Sequence, residues 1–101
     1  MADAGNISQV QSVQMGGLRI VGTVPEGGKL IVTVEGDSIS KLIDGAARRL
    51  AYDERLKHGM VQSGIEAVGG TYVPDEEVTR AKEQGRNIML WRADFRLTPM
   101  I

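Results

Sequence analysis

Residues 36–59 read GDSISKLIDGAARRLAYDERLKHG and form the longest periodic stretch of the chain. Asp37 or Ser38 can cap a helix here, because a short side-chain oxygen accepts a hydrogen bond from a first-turn amide. The apolar residues behind this cap recur at the spacing of one helical face: Ile39, Leu42, Ile43, Ala46, Ala47 and Leu50. The stretch therefore predicts an amphipathic helix that stops near Gly59 and needs a sheet or a partner against its apolar stripe.

The start of this stretch, Gly36-Asp37-Ser38-Ile39, resembles the Gly-Asp-Ser-Leu block that carries the nucleophile in one family of serine hydrolases. That chemistry needs a base and a group to orient it. The family places an Asp-x-x-His near the C-terminus, but no histidine follows His58 here. We therefore interpret the serine as a helix cap and His58 as a cation at a helix end. We expect no catalytic residue and no enzymatic activity.

Length and composition bound the protein class. A chain of 101 residues with 42% hydrophobic residues predicts one globular domain, 1–101. The net charge of −1 provides no field to attract nucleic acid or an anionic membrane. Without cysteine and with one histidine, we expect no disulfide, no metal site and no cofactor. No apolar run reaches ~18 residues and no signal-peptide pattern opens the chain, so we expect a soluble cytoplasmic protein.

The N-terminal third predicts strands. Residues 1–16 are polar and only loosely alternating, and we interpret them as an N-terminal arm or a marginal edge strand over 7–14. Two alternating, β-branched runs follow, at 18–24 and 30–35, on either side of Pro25-Glu26-Gly27-Gly28. Two such runs around a short Gly/Pro loop predict a β-hairpin.

The C-terminal half predicts two more helices and a strand. The apolar spacing in 60–68 is ambiguous between helix and strand, and it favours a short helix. A further helix begins after Pro74, where Asp75, Glu76 and Glu77 suit its positive end and Glu76 can pair with Arg80. Residues 88–97 alternate apolar and polar and form the clearest strand.

The predicted order is therefore β-β-β-α-α-α-β. Helices collected between strands are typical of the α+β class. We expect a small antiparallel or mixed sheet with its helices packed on one face.

The other face of this sheet is the first candidate site. It combines aliphatic side chains with arginines, and apolar surface rimmed by charge is typical of an interface. The candidate interface residues are Arg19, Val21, Ile31, Thr33 and Leu90. This pattern predicts self-association into a homo-oligomer.

A small anionic ligand such as a nucleotide is the second candidate. Guanidinium groups bind phosphate in a bidentate manner. Arg92 and Arg96 share one strand, and Arg48 on the long helix is a third candidate ligand. Nucleic acid is a weaker candidate partner, because no aromatic side chain lies on the outer sheet face to stack on bases.

These observations predict a small non-enzymatic, homo-oligomeric binding protein that acts by occupying a partner macromolecule, as accessory or inhibitor proteins do. The alternative is a receptor or sponge for a small anion, with Arg92, Arg96 and Arg48 as ligands. A nucleic-acid-binding accessory protein is the third hypothesis.

Overall fold

The computed structural model describes residues 17–100, so the strand expected at 7–14 and the arm at 1–16 lie outside the described part. We number the elements in chain order: β1 (Arg19–Glu26), β2 (Lys29–Gly36), α1 (Ile39–Ile43), α2 (Gly45–Glu54), a 3₁₀ helix (Arg55–His58), β3 (Ser63–Tyr72), α3 (Asp75–Glu83) and β4 (Trp91–Pro99). This arrangement confirms the predicted α+β class.

The four strands form one sheet in the order β1-β2-β4-β3, and every neighbouring pair is antiparallel. The predicted hairpin joins β1 and β2 through Gly27 and Gly28, which have φ values of 56° and 83°. Two positive φ values in a two-residue loop match the twist of the flanking strands, and glycine adopts them without a Cβ clash. Strands β2 and β4, which are not consecutive along the chain, form the central pair of the sheet.

One face of the sheet forms the core, as the alternation in β2 and β4 predicted. Val32 lies opposite Phe95, and Val34 lies opposite Ala93. Helices α1 and α2 cover this face, which we call the first face. The buried cluster consists of Leu18, Leu30, Val32, Val34, Leu42, Ala47, Ala51, Ala93, Phe95 and Leu97.

The long helix predicted over 36–59 is interrupted at Asp44. Ser38 caps α1 as expected, but Asp44 has an extended backbone and its Oδ1 accepts a hydrogen bond from the Ala46 amide at 2.9 Å. A short acidic side chain that competes for a backbone amide favours a cap over a helix interior. The helix therefore restarts at Gly45, and Gly59, in the left-handed region, ends the 3₁₀ helix that follows.

Gly45→Ala is expected to raise the free energy of unfolding by about 0.5 kcal/mol, because alanine loses less backbone entropy on folding. An added Cβ meets no atom within 4 Å, and the backbone there is ordinary for an L-residue. Urea denaturation measures the change. Gly28→Ala is the matched control: it has the same open space but a φ of +83°, so it should be destabilising.

The helix favoured for 60–68 was wrong, because residues from Ser63 onward form β3. Ile65 lies opposite Leu97 and Ala67 lies opposite Phe95, so pairing with β4 determines the conformation. The last strand begins at Trp91, whereas the alternation suggested residue 88. The described residues therefore follow the order β-β-α-α-β-α-β.

Candidate interaction surfaces

The side of the sheet opposite α1 and α2, which we call the second face, is organised in cross-strand rows. The strand registers place its residues in three rows from β1 to β3. The first row is Val24, Ile31, Arg96 and Glu66; the second is Gly22, Thr33, Asp94 and Val68; the third is Arg19, Glu35, Arg92 and Tyr72. Most of these side chains are polar, and most of the polar ones are paired with each other.

A buried carboxylate lies at the centre of the third row. Glu35 is 1% exposed, and its two oxygens accept hydrogen bonds from Arg19 Nη2 at 2.8 Å and Arg92 Nε at 3.2 Å. Arg92 Nη1 also lies 3.5 Å from Glu76 of α3. Helix α3 therefore contributes to the second face, so only α1 and α2 follow the predicted one-sided arrangement.

A second buried carboxylate connects α3 to the segment before β4. Glu77 is 0% exposed, and it accepts hydrogen bonds from Arg86 Nη1 at 2.6 Å, Arg80 Nη1 at 3.0 Å and the Leu90 amide at 2.9 Å. The hydrogen bond from Arg86 holds the pKa of Glu77 below its ordinary value, against the opposing effect of burial. Glu77, not the expected Glu76, is thus the partner of Arg80.

The second row contains a smaller hydrogen-bonded group. Thr33 Oγ1 donates to Asp94 Oδ1 at 2.7 Å, and the Tyr72 hydroxyl donates to the same oxygen at 3.2 Å. Burial, together with the charge of Asp94, raises the pKa of Tyr72. This group lies in the middle of the second face.

The predicted interface residues do not form the exposed apolar surface that the sequence suggested. Arg19 and Thr33 make the internal bonds described above, and Val21 and Ile31 are half-buried. Leu90 lies on the connection before β4, not on a strand. The apolar, arginine-rimmed face expected from sequence is a face of ion pairs, because carboxylates from β2, β3 and α3 meet the arginines.

The three predicted anion ligands do not converge. Arg92 and Arg96 lie in different rows of the second face, and each is already paired with two carboxylates, those of Arg96 being Glu26 and Glu66. Arg48 lies on the first face, where its Cζ is 5.8 Å from the centre of the Phe95 ring. The sheet itself separates Arg48 from the other two.

Arg92→Ala is expected to lower the free energy of unfolding by about 1 to 2 kcal/mol, because it removes a charged partner from buried Glu35. Arg96→Ala is the matched control and should change stability little, since its partners are more than half exposed. Denaturant titration of both variants measures the difference. Equal free energies of unfolding for the two variants would show that Arg92 does not stabilise the buried carboxylate of Glu35.

The edge of β3 is a surface that the sequence did not reveal. Within residues 17–100, β3 pairs only with β4, so its other edge has no strand beside it. The Met100 amide donates to Gln62 O at 3.0 Å, and hydrogen-bonded pairs alternate along antiparallel strands. The backbone groups of Ser63, Ile65 and Ala67 therefore point away from the sheet. We call this row of groups the β3 edge.

A cavity of about 170 Å³ lies beside the β3 edge on the first face. Its lining includes the apolar side chains of Leu42, Ala93 and Phe95, together with Gly69 and Gly70 of β3. Ile43, at the rim, is 72% exposed. The sequence could not place this cavity, because it lies between the helix break at Asp44 and a strand that was read as a helix.

Arg48 lies between the cavity and the β3 edge. Its Nη1 donates to the outward-facing Ile65 O at 3.4 Å, and its guanidinium covers Phe95. Seven other arginines in the described part of the chain have a carboxylate within 4.0 Å, and Arg48 has none there. It is therefore an exposed cation whose charge is not neutralised by these residues.

The hydrolase-like block and the histidine serve local structure. Ser38 Oγ accepts a hydrogen bond from the Lys41 amide, which is its capping role, and it lies 3.2 Å from Ser40 Oγ. His58 Nε2 lies 3.5 Å from Glu54 Oε2. Across residues 17–100 no group of three His, Cys, Asp or Glu side chains could hold a metal ion.

No helix among the described residues is long and apolar enough to cross a membrane. Comparison of the chain with protein-family models, with curated proteins and with solved structures gives no match.

Proposed function

We propose that the protein is a non-enzymatic binding protein that acts by docking the β3 side of its sheet onto another protein chain. The observation that supports this is the exposed apolar surface next to β3. Ile43, which lines the cavity together with Gly69 and Gly70 of β3, is 72% exposed, and Val61, shortly before the start of β3, is 75% exposed. Exposed apolar residues grouped around one strand are typical of a protein interface. The cytoplasmic location expected from sequence belongs to the same proposal.

The other two ligand classes receive less support. An anion receptor needs free guanidinium groups, whereas Arg92 and Arg96 are already held by carboxylates. A nucleic-acid surface needs uninterrupted positive charge. The basic side chains near the end of α2 alternate with acids, as in the contacts of Arg49 and Arg55 with Asp53.

Self-association through the second face is the second candidate. Val24 is 59% exposed and shares its row with half-buried Ile31, so a small apolar patch remains at the β1 end of this face. In a dimer with a two-fold axis at this position, the patch of one protomer would pack against the same patch of the other. The sequence also predicted a homo-oligomer, but through a larger surface. Of the predicted interface residues, only Ile31 belongs to this patch.

Two exposed substitutions, each changing an aliphatic side chain to glutamate, separate the candidates. Ile43→Glu alters the β3 side and Val24→Glu alters the second face, and thermal melts verify that both variants fold. We expect a protein captured from cell extract to rebind the purified wild-type chain and Val24→Glu, and to bind Ile43→Glu about tenfold more weakly or worse.

Sedimentation velocity of the same three proteins tests the second candidate. A wild-type oligomer that Val24→Glu converts to a monomer supports self-association through the second face. If the wild-type chain remains a monomer at about 50 µM and no captured protein rebinds it, both candidates are wrong.

A further inference from the structure

We propose that the β3 edge binds an extended peptide as an additional strand, with an apolar side chain in the adjacent cavity and a carboxylate on Arg48. This inference rests on the proposed function and specifies the chemistry of the partner. It follows from three features: the outward backbone groups, the cavity, and the Arg48 guanidinium, which no carboxylate among residues 17–100 pairs.

The backbone of β3 offers hydrogen bonds to an incoming strand. The outward groups of Ser63, Ile65 and Ala67 have the two-residue spacing that an antiparallel or parallel partner needs. Peptides that join a sheet edge obtain affinity from these main-chain bonds and specificity from pockets for alternate side chains. The β3 edge has both, because the cavity lies directly beside Ala67.

Residues 63–68 of this edge contain no proline, no lysine and no bulge. Natural edges carry proline, lysine or a bulge that prevents another strand from pairing. Residues 63–68 read SGIEAV, and the irregularity of β3 begins only after Val68. Glu66 does not shield the edge, because Arg96 Nη1 holds its side chain on the second face at 3.0 Å.

Arg48 gives the site its charge preference. Its 3.4 Å bond to Ile65 O is long for an N–H···O contact, and a peptide N–H can replace it there. The released guanidinium would then bind a carboxylate on the peptide. Ile65 and Ala67 are two residues apart on the same face, so the peptide's carboxylate and its apolar side chain should also be two residues apart.

The probe is a labelled nonapeptide of sequence Ser-Thr-Thr-Thr-Leu-Thr-Glu-Thr-Ser, with a second peptide that presents the Leu and Glu in reverse order. Two directions are needed because the added strand can run either way. Each peptide has a matched control in which glutamine replaces the glutamate. Titration into the ¹⁵N-labelled full chain, followed by NMR, reports both the affinity and the amides that move.

We expect one peptide to bind, with the largest shifts at the amides of Ile65 and Ala67. The glutamine control should bind about threefold more weakly to the wild-type chain, and Arg48→Gln should remove this difference. Ala67→Pro should abolish the binding of that peptide and of its glutamine control. This proline should not disturb the sheet, because the Ala67 N–H points away from β4.

The inference is wrong if neither peptide shifts the Ile65 and Ala67 amides at millimolar concentration, or if Ala67→Pro leaves the shifts unchanged. It is also wrong if sedimentation shows a dimer that Ala67→Pro dissociates, since a second copy would then occupy the edge. A captured protein that is lost with Ile43→Glu but kept with Ala67→Pro would preserve the proposed function and reject strand addition.

Discussion

Glu77→Ala is expected to lower the free energy of unfolding by about 3 kcal/mol, the largest loss among the substitutions considered. The substitution leaves the Leu90 amide without its acceptor and leaves Arg80 and Arg86 without their shared carboxylate. Both arginines are partly exposed, so water can solvate part of the released charge. Urea denaturation gives the value from the shift in midpoint at constant slope.

Glu76→Ala is the matched control for this change, because it lies one residue away on the same helix. Its side chain is 63% exposed and lies 3.5 Å from Arg92. We expect a loss below about 1 kcal/mol for such a pair. Similar losses for the two variants would contradict a structural role for the buried carboxylate.

The contribution of Glu77 should depend on pH. Its pKa is lower in the folded chain than its ordinary value of 4.5, so the ionised form stabilises the fold. This stabilisation is complete above pH 4.5 and is lost as the pH falls through the folded pKa. The difference in stability between the wild-type chain and Glu77→Gln should therefore be constant near pH 7 and should shrink below pH 4.5.

Gly36→Ala is expected to lower the free energy of unfolding by about 2 kcal/mol. A Cβ on this buried glycine would lie 2.7 Å from Leu18 Cδ2 and 3.5 Å from Leu42 Cδ2. Leu18 and Leu42 are each only 2% exposed, so neither side chain can move into solvent to relieve the overlap. Thermal and urea denaturation both measure this loss.

Two further variants test the steric cause of that loss. Gly70→Ala adds a Cβ that meets no atom within 4 Å, so it should be nearly neutral. Leu18→Val combined with Gly36→Ala should cost less than the sum of the two single changes, because the contacting methyl group is moved. A strictly additive result would rule out the overlap as the cause.

The strands with regular alternation were predictable from sequence, and β3 was not. Strand β4 alternates large apolar and polar residues, and the β-branched runs of β1 and β2 lie on either side of a Gly/Pro loop that marks the hairpin. Between Ser63 and Tyr72 the sequence contains three glycines and an alanine, so its alternation is weak. Pairing with β4 decides its conformation, and that pairing involves residues about 30 positions away.

The helix break and the buried glutamates depend on tertiary contacts that the sequence does not show. Asp44 occupies a polar position of the helical pattern, and only the structure shows that it caps a new helix. In the sequence, nothing distinguishes Glu35 and Glu77 from glutamates that are exposed to solvent. They are buried because the strand register brings Arg92 to Glu35 and the turn after α3 brings Arg86 to Glu77.

The arrangement of the candidate site residues also depends on tertiary contacts. The sequence placed Arg19, Ile31 and Thr33 on the second face, but it did not show that carboxylates from other elements neutralise the arginines there. It identified Arg48 as a cation on the helix, but placed it with Arg92 and Arg96. The β3 edge could not be predicted, since its existence depends on a segment that the sequence assigned in part to a helix.

The strand order has a consequence for synthesis on the ribosome. Strand β4 lies between β2 and β3, so β3 has no neighbour among the described strands until β4 has been translated. Distant pairings of this kind form slowly, and unpaired strands expose the nascent polypeptide to aggregation. The β1–β2 hairpin can form early, but the sheet can be completed only after β4 has emerged from the ribosome.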